Sequence, residues 1–421
     1  MSKFIFQGSS PISEKDFKSH LGSLCQLENI GVLLGAGASA GCGGMTMKGV
    51  WLDAISSSTS IVNDLLYFNL ITQENITNQD VNVEQLLDQV TQYLSVYKKM
   101  APLNDDSALE FRPVTRLQKI LLCLYQSVTK AALLVERESF GNENLGSQEQ
   151  FKYHRELLEK LISNRQPGQA APMLFTTNYD LSLEWAAEEI GIQLVNGFSG
   201  LHTRTFQPQN FDLSFRNVNA KGEARFGHYH AYLHKLHGSL SWVQEHDSDI
   251  KEIPSALAKS RYIDPLLNGE PVYDKQFLIY PGANKYHHTI GFVYGEMFRR
   301  FSEFLSKPQT AIFVNGYGFG DYHINRIILG ALLNPSLHIV IFYPDLDTIS
   351  TDTAKLNEAQ KCIKKLKSLS LNQITIVGGD YKAYFNSFVK YIPKPVLFPR
   401  DTSTQDLVAA INDLVQSGNQ I

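Results

Sequence analysis

The chain has 421 residues, 43% hydrophobic and 19% charged; this is enough to bury a sizeable core without covalent staples, and too apolar for a disordered polymer. Lys plus Arg number 38 against 42 Asp plus Glu, a net charge of −4, which excludes a chain governed by attraction to nucleic-acid phosphates. The four cysteines (Cys25, Cys42, Cys123 and Cys362) come no closer than 17 positions, so neither a cysteine zinc knuckle nor a C-x-x-C redox motif exists and no disulfide framework is expected. The segment MSKFIFQGSS lacks the apolar run of a secretory signal, and no stretch approaches the roughly 18 apolar residues of a membrane span. The expectation is a soluble, cytoplasmic protein with no membrane contact.

The first strand is Ile30–Leu34, an apolar run ending in GAGASAGCGG, with a helical pattern from Met47 to Ile55. Val83–Tyr97 and Val114–Val135 carry apolar residues at helical spacing, and His154–Ile162 is a third helix candidate. No convincing strand lies between Ser56 and Arg165, so residues 56–165 read as a helical insertion. Alternation resumes with a strand at Met173–Phe175 and a helix at Leu181–Ile190, ended by Gly191. Short strands follow at Gln193–Val195, Ala231–Leu236 and Phe277–Tyr280. A helix at Phe292–Leu305, a strand at Thr310–Val314, a helix at Ile324–Leu333 and strands at His338–Tyr343 and Gln373–Val377 complete the pattern. Continuous apolar strands alternating with helices predict an α/β fold: a Rossmann-like parallel sheet with helices on both faces, plus the insertion. The core is assigned to residues 25–55 and 166–395, and a C-terminal helical tail to 396–421.

Six strand ends carry polar or glycine-rich turns. Gly35, Gly37 and Gly41 follow the first strand, where glycine lets backbone approach a phosphate. A P-loop is excluded because no Gly-Lys-Ser/Thr follows. GAGASA fits G-x-G-x-x-A, but the acid expected about twenty residues on falls on Asp53, inside a helical pattern, so the dinucleotide fingerprint is incomplete. TTNYD (Thr176–Asp180) follows the second strand; Asn178 could hold a ribose hydroxyl or a water, and Thr177 or Asp180 could equally be a helix cap. His237, in KLHGS, is read as exposed enough to exchange a proton, against the plainer reading of a turn histidine. His228, His230 and His234 upstream have no accompanying carboxylate, and no metal is expected. NGYGFGD (Asn315–Asp321) is a second glycine turn, in which Asp321 could simply cap the next helix. Tyr343–Asp345 and Gly378–Asp380 end two further strands. In an open parallel sheet such ends share one crevice.

GAGAS (Gly35–Ser39), TTNYD, KLHGS (Lys235–Ser239) and GYGFGD (Gly316–Asp321) occur in the order seen in sirtuin-like domains. The chain most resembles the bacterial sirtuin-like anti-phage defence family, and in particular the subunit that works with a HerA-type hexameric ATPase. VEQLL (Val83–Leu87), Gly197–Phe198, IYP (Ile279–Pro281) and Lys285 also fit that family.

The resemblance implies NAD binding, with NAD as substrate. Gly35, Ala36, Gly37 and Ser39 would surround the pyrophosphate, Asn178 and Asp180 would sit near the nicotinamide ribose, and Thr177 would add a cofactor contact. Gly316, Tyr317 and Gly318 would add contacts from the second glycine turn. Asn178 and His237 would be catalytic. The cysteine zinc module of deacylase sirtuins and their IPDFR-like stretch are absent, this chain reading GMTMKGVW after the first glycine turn. Cleavage of NAD itself is therefore expected over protein deacylation; a zinc-free deacylase or ADP-ribosyltransferase and a non-catalytic NAD-sensing module are the alternatives. A homo-oligomer, gated within a larger complex and making no direct nucleic-acid contact, is the implied assembly.

Overall fold

The computed structural model describes residues 4–57, 59–78, 81–100, 112–166, 168–215, 230–245, 249–270, 275–277, 288–349 and 356–394. The segments assigned to IYP, Lys285, His228 and the C-terminal tail lie outside the described residues.

The chain opens with a small hairpin, β1 (Ile5–Gln7) and β2 (Ser10–Pro11), and helix α1 (Glu14–Leu24). Strand β3 (Asn29–Leu34) runs into a single helical turn, α2 (Ala36–Ser39). The helical stretch follows as α3 (Met47–Ser57), α4 (Thr59–Tyr67), α5 (Gln73–Asn78), α6 (Val83–Met100), α7 (Pro113–Leu133) and α8 (Lys152–Ser163). Next come β4 (Met173–Thr176), α9 (Ser182–Glu189), β5 (Gln193–Val195), β6 (Phe198–Ser199), β7 (Arg204–Phe206), β8 (His230–Lys235), β9 (Trp242–Glu245) and β10 (Lys251–Glu252). Short helices α10 (Ser255–Ala258) and α11 (Asp264–Leu267) and strand β11 (Lys275–Phe277) precede α12 (His288–Ser306). The rest is β12 (Thr310–Asn315), α13 (Tyr322–Ala331), β13 (Leu337–Phe342), α14 (Glu358–Ser368), β14 (Ile374–Val377) and α15 (Phe385–Tyr391).

Nine strands form one sheet in the order β2-β1-β14-β13-β12-β3-β4-β8-β5. All neighbours from β14 to β5 are parallel, and the antiparallel pairs are β14–β1 and β1–β2. The fold is the Rossmann-like α/β sheet covered on both faces, with one antiparallel edge. The buried strands are continuous apolar runs because each face has its own helical layer. Along β3, Ile30, Val32 and Leu34 face a core shared with α1, α8, α9 and α15, while Leu33 faces one built by α12 and α13, as the two-residue period of a strand requires. Gly31 leaves room for the Phe304 ring, which a Cβ would meet at 2.8 Å.

The third core is helical. Val50, Trp51, Leu65, Val83, Leu87, Leu117, Ile120 and Leu124 pack together and extend to Leu240, Val243 and Tyr262. A separate five-stranded sheet, β11-β9-β10-β7-β6, lies in the stretch between β5 and α12. No described helix is long and apolar enough to cross a membrane.

Candidate active site

From β3 the chain builds outward through β4 and β8, and from β12 it builds the other way through β13 and β14. The topological switch therefore falls between β3 and β12, where ligand crevices form at the carboxyl ends of open α/β sheets. GAGAS and NGYG leave the sheet at that point. TTNYD and KLHGS leave from β4 and β8 on the same rim.

The two glycine turns pack directly on each other. A Cβ on Gly35 would meet the Gly316 carbonyl oxygen at 2.5 Å, and one on Gly37 would meet the Gly316 Cα at 2.7 Å. Gly316 has φ +68°, and its Cβ would lie 2.3 Å from the Ala38 nitrogen. The Gly37 amide donates to the Gly316 carbonyl at 3.0 Å, and the Gly35 amide to the Asn315 carbonyl at 3.1 Å. Close backbone packing thus accounts for the glycines at 35 and 37 without a phosphate. The helix expected from Met47 to Ile55 is α3, and a single unpredicted turn, α2, lies directly after the glycines. Gly318 and Gly320, by contrast, are exposed, and a Cβ there would meet nothing within 4 Å. A ligand can approach backbone closely at that end of the rim. Asn315, buried at the end of β12, donates from Nδ2 to the Ala383 carbonyl at 2.9 Å and leaves its buried Oδ1 without a protein partner.

Ser39, Asn178 and Asp180 form one network. Asn178 donates from Nδ2 to the Gly35 carbonyl at 3.1 Å and to Ser39 Oγ at 3.0 Å. Ser39 Oγ donates to Asp180 Oδ2 at 2.7 Å, and the other Asp180 oxygen accepts from the Ser182 amide and hydroxyl at 3.1 and 2.6 Å. Asp180 therefore both holds the start of α9 and reaches across the rim. The Thr177 amide donates to the Leu34 carbonyl at 3.0 Å, which seats the turn beside β3.

Lys235, 3% exposed, ties TTNYD to KLHGS. Its Nζ donates to the Asp180 carbonyl and, at 3.1 Å, to Ser239 Oγ, and it pairs with Glu184 at 2.8 Å. A buried cation needs such partners.

His237 departs from its expected exposure: it is 4% exposed. Its Nδ1 lies 3.1 Å from Glu84 Oε1 and its Nε2 2.9 Å from Asp321 Oδ2. Burial pulls the ring's pKa down, but the two carboxylates outweigh it and raise it from 6.5 to about 10. The ring is an imidazolium at neutral pH. Burial pushes the Asp321 carboxyl up, while His237 and the amides of Ile324 and His323 more than offset this and bring it below the usual range. Asp321 keeps its capping role through Oδ1, which accepts from the His323 and Ile324 amides at 2.7 and 3.2 Å. The Tyr317 hydroxyl donates to the Asp321 carbonyl at 3.2 Å and to Asn325 at 2.9 Å.

The motifs of four distant segments thus meet on one rim. Glu84 and Lys235 are the residues that sequence reasoning left without a role. Glu84 lies in VEQLL and Lys235 in KLHGS, so the motifs marked both, but nothing in a linear pattern pairs Glu84 with a histidine 153 positions away. Asp53 is not placed for a ribose: in α3 it accepts from Ser127 Oγ at 2.7 Å and pairs with Lys130 at 3.2 Å. His234 is stacked between Phe175 and Phe211, with ring centroids at 4.8 and 4.4 Å; burial pulls its pKa down to about 3. The ends of β13 and β14 close on each other, with Gly378 against the Leu346 side chain. Among the described residues no group of three His, Cys, Asp or Glu side chains is arranged to hold a metal ion.

Residues 172–364 match the family model of the SIR2-like domain. The matched stretch contains TTNYD, KLHGS and GYGFGD and begins after GAGAS and the helical insertion. The match supports a sirtuin-like relationship; domains of this kind are typically NAD-dependent enzymes, and NAD binding is implied with it. No curated protein matches the chain.

Proposed function

We propose that the chain is an NAD glycohydrolase that cleaves NAD to nicotinamide and ADP-ribose. The observation that carries this reading is the convergence of Asn178, Ser39 and Asp180 with His237 and Asp321 on the rim at the sheet's switch point. The chemistry asks for little more. Nicotinamide departs as a neutral base from a cationic precursor, so no general acid is required. The protein must orient the ribose, exclude bulk water, stabilise an oxocarbenium-like state and supply one water. Asn178 is assigned the water or ribose contact, and the turn from Gly316 to Gly318 is assigned further contacts, its open end at Gly318.

His237 is assigned a ribose hydroxyl. Glu84, 3.1 Å from Nδ1, and Asp321, 2.9 Å from Nε2, hold the ring charged. In this state it donates a hydrogen bond that orients the ribose, and it takes the hydroxyl proton only after the ribose displaces Asp321 from Nε2 and the ring has lost that proton to solvent. Acidic groups beside the ring also favour the positive charge that develops at the ribose.

The wider role in this reading is anti-phage defence by NAD depletion. The activity would be gated in a homo-oligomeric assembly with a HerA-type hexameric ATPase, which supplies any DNA contact. Reaction in ¹⁸O-labelled water tests the chemistry. Hydrolysis places one ¹⁸O on the anomeric carbon of the ADP-ribose released with nicotinamide. Label-free product, or nicotinamide release only when an acylated peptide or another acceptor is added, would assign the chain to transfer chemistry instead.

A further inference from the structure

Three observations single out α6. Asn82 Oδ1 accepts from the Glu84 and Gln85 amides at 3.0 and 3.1 Å, so the first turn of the helix is capped. Val83, Leu86 and Leu87 of the same turn are buried in the helical core. Glu84, left between these anchors, reaches the His237 ring from outside the sheet domain, 3.1 Å from Nδ1. Caps and plugs fix the turn, and the one acidic side chain on it meets the one histidine on the rim that a second carboxylate also holds.

We propose that Glu84 is a positioning residue for His237: its carboxylate orients the ring through Nδ1 and sets how readily Nε2 exchanges a proton, so the helical insertion completes the active site. The inference rests on the NAD-cleaving reading for its catalytic consequence, but the coupling of Glu84 to His237 stands on geometry alone. A carboxylate on one ring nitrogen fixes the tautomer and orientation available at the other.

The groups around the ring are few and their charges are assigned. Asp321, at the start of α13, faces Nε2. Tyr179, following β4, places its hydroxyl 3.5 Å from Glu84 Oε1, and Tyr294 of α12 donates to the His237 carbonyl at 3.3 Å. Tyr317 holds the Asp321 backbone. Burial keeps the Tyr179, Tyr294 and Tyr317 phenols neutral far above their ordinary range. Tyr125 and Asp88 act on Tyr179 at longer range, and Tyr125 on Tyr294. Among the described residues Glu84 and Asp321 are the two carboxylates that face the imidazole directly, and removing either should be legible in its titration.

The test uses the full chain labelled with ¹⁵N-histidine. The ring signals of His237 are assigned by their loss in His237→Ala and followed against pH in the wild type, Glu84→Gln and Glu84→Asp. In Glu84→Gln the His237 titration should fall by about one pH unit or more, a tenfold change in proton affinity; Glu84→Asp, which keeps the charge, should recover part of it. In parallel, the acid limb of the pH profile for nicotinamide release should move to lower pH in Glu84→Gln, with kcat lowered and KM for NAD near the wild-type value. An unchanged His237 titration in folded Glu84→Gln overturns the inference, as does a rise in KM alone with an unmoved pH profile. If wild-type protein releases no nicotinamide, the NAD-cleaving reading fails, while the titration still decides whether Glu84 governs His237.

Discussion

The two halves of the rim are held by different forces. Around Ser39, Asn178 and Asp180 the bonds join loops that leave adjacent strands, β3 and β4, whose register is set by the sheet. Around His237 they are ionic, and one partner comes from α6 in the helical insertion. The first half is a consequence of strand pairing. The second draws one carboxylate, Asp321, from the turn after β12 and the other, Glu84, from α6.

Removing the centre of the ionic half should have the largest effect. His237→Ala should lower the rate of nicotinamide release by roughly 10²–10⁴-fold, the range for lost acid–base assistance, with the circular dichroism spectrum retained. A wild-type rate would shift the chemistry wholly to the half around Asn178. In that half, Asn178→Ala should also depress turnover, without moving the alkaline limb of the stability profile described below.

Structural effects come next. Lys235→Met strips the cation that holds the Asp180 carbonyl, Ser239 and Glu184. Breaking a buried pair of this kind costs on the order of 3 kcal/mol, to be read from urea unfolding. Gly316→Ala should cost a similar amount, about 3 kcal/mol from left-handed strain and overpacking together, because its Cβ would collide with Ala38. Wild-type stability in either would mean the two halves are not braced against each other.

A pH series sharpens the comparison further. The His237 pKa is raised in the folded protein, so its stabilisation is complete below 6.5 and is lost as the pH rises towards about 10. His154 and His234 behave oppositely. Burial lowers them to about 4 and about 3, so their contribution is present above 6.5 and lost as the pH falls towards those values. Urea midpoints should therefore fall on both sides of neutrality, and His237→Ala should flatten only the alkaline side. The smallest effect is expected at the open end of the rim. Gly318→Ala should leave stability within about 0.5 kcal/mol of wild type, since its Cβ faces open space, yet raise KM for NAD.

Much of the sheet was legible because buried strands write continuous apolar runs. The patterns at Ile30–Leu34, Thr310–Val314 and His338–Tyr343 fall within a residue of β3, β12 and β13. The long helices α6, α7 and α12 were equally plain from their periodicity. The hairpin β1–β2 and the five-stranded sheet were not, because strands of two to four residues are too short to show alternation. Helix α14 was missed for another reason: in EAQKCIKKLKS only Ile363 and Leu366 are buried, and the charged face hides them. At the site, the loops that carry the motifs meet on one rim, but His237 is buried rather than exposed as its motif suggested. A histidine followed by glycine reads as a turn; that two carboxylates clamp it is a tertiary fact. Gly35 and Gly37 have in addition a packing role that a linear pattern does not show: they lie against the backbone of Gly316.

The most direct measurement is chromatographic resolution of the products formed from NAD by the purified full chain, alone and with the partners that co-purify with it, beside His237→Ala. The account predicts equimolar nicotinamide and free ADP-ribose from the wild type, with no acyl donor present, and almost none from the variant. Intact NAD under every condition, or equal product from both proteins, would contradict it.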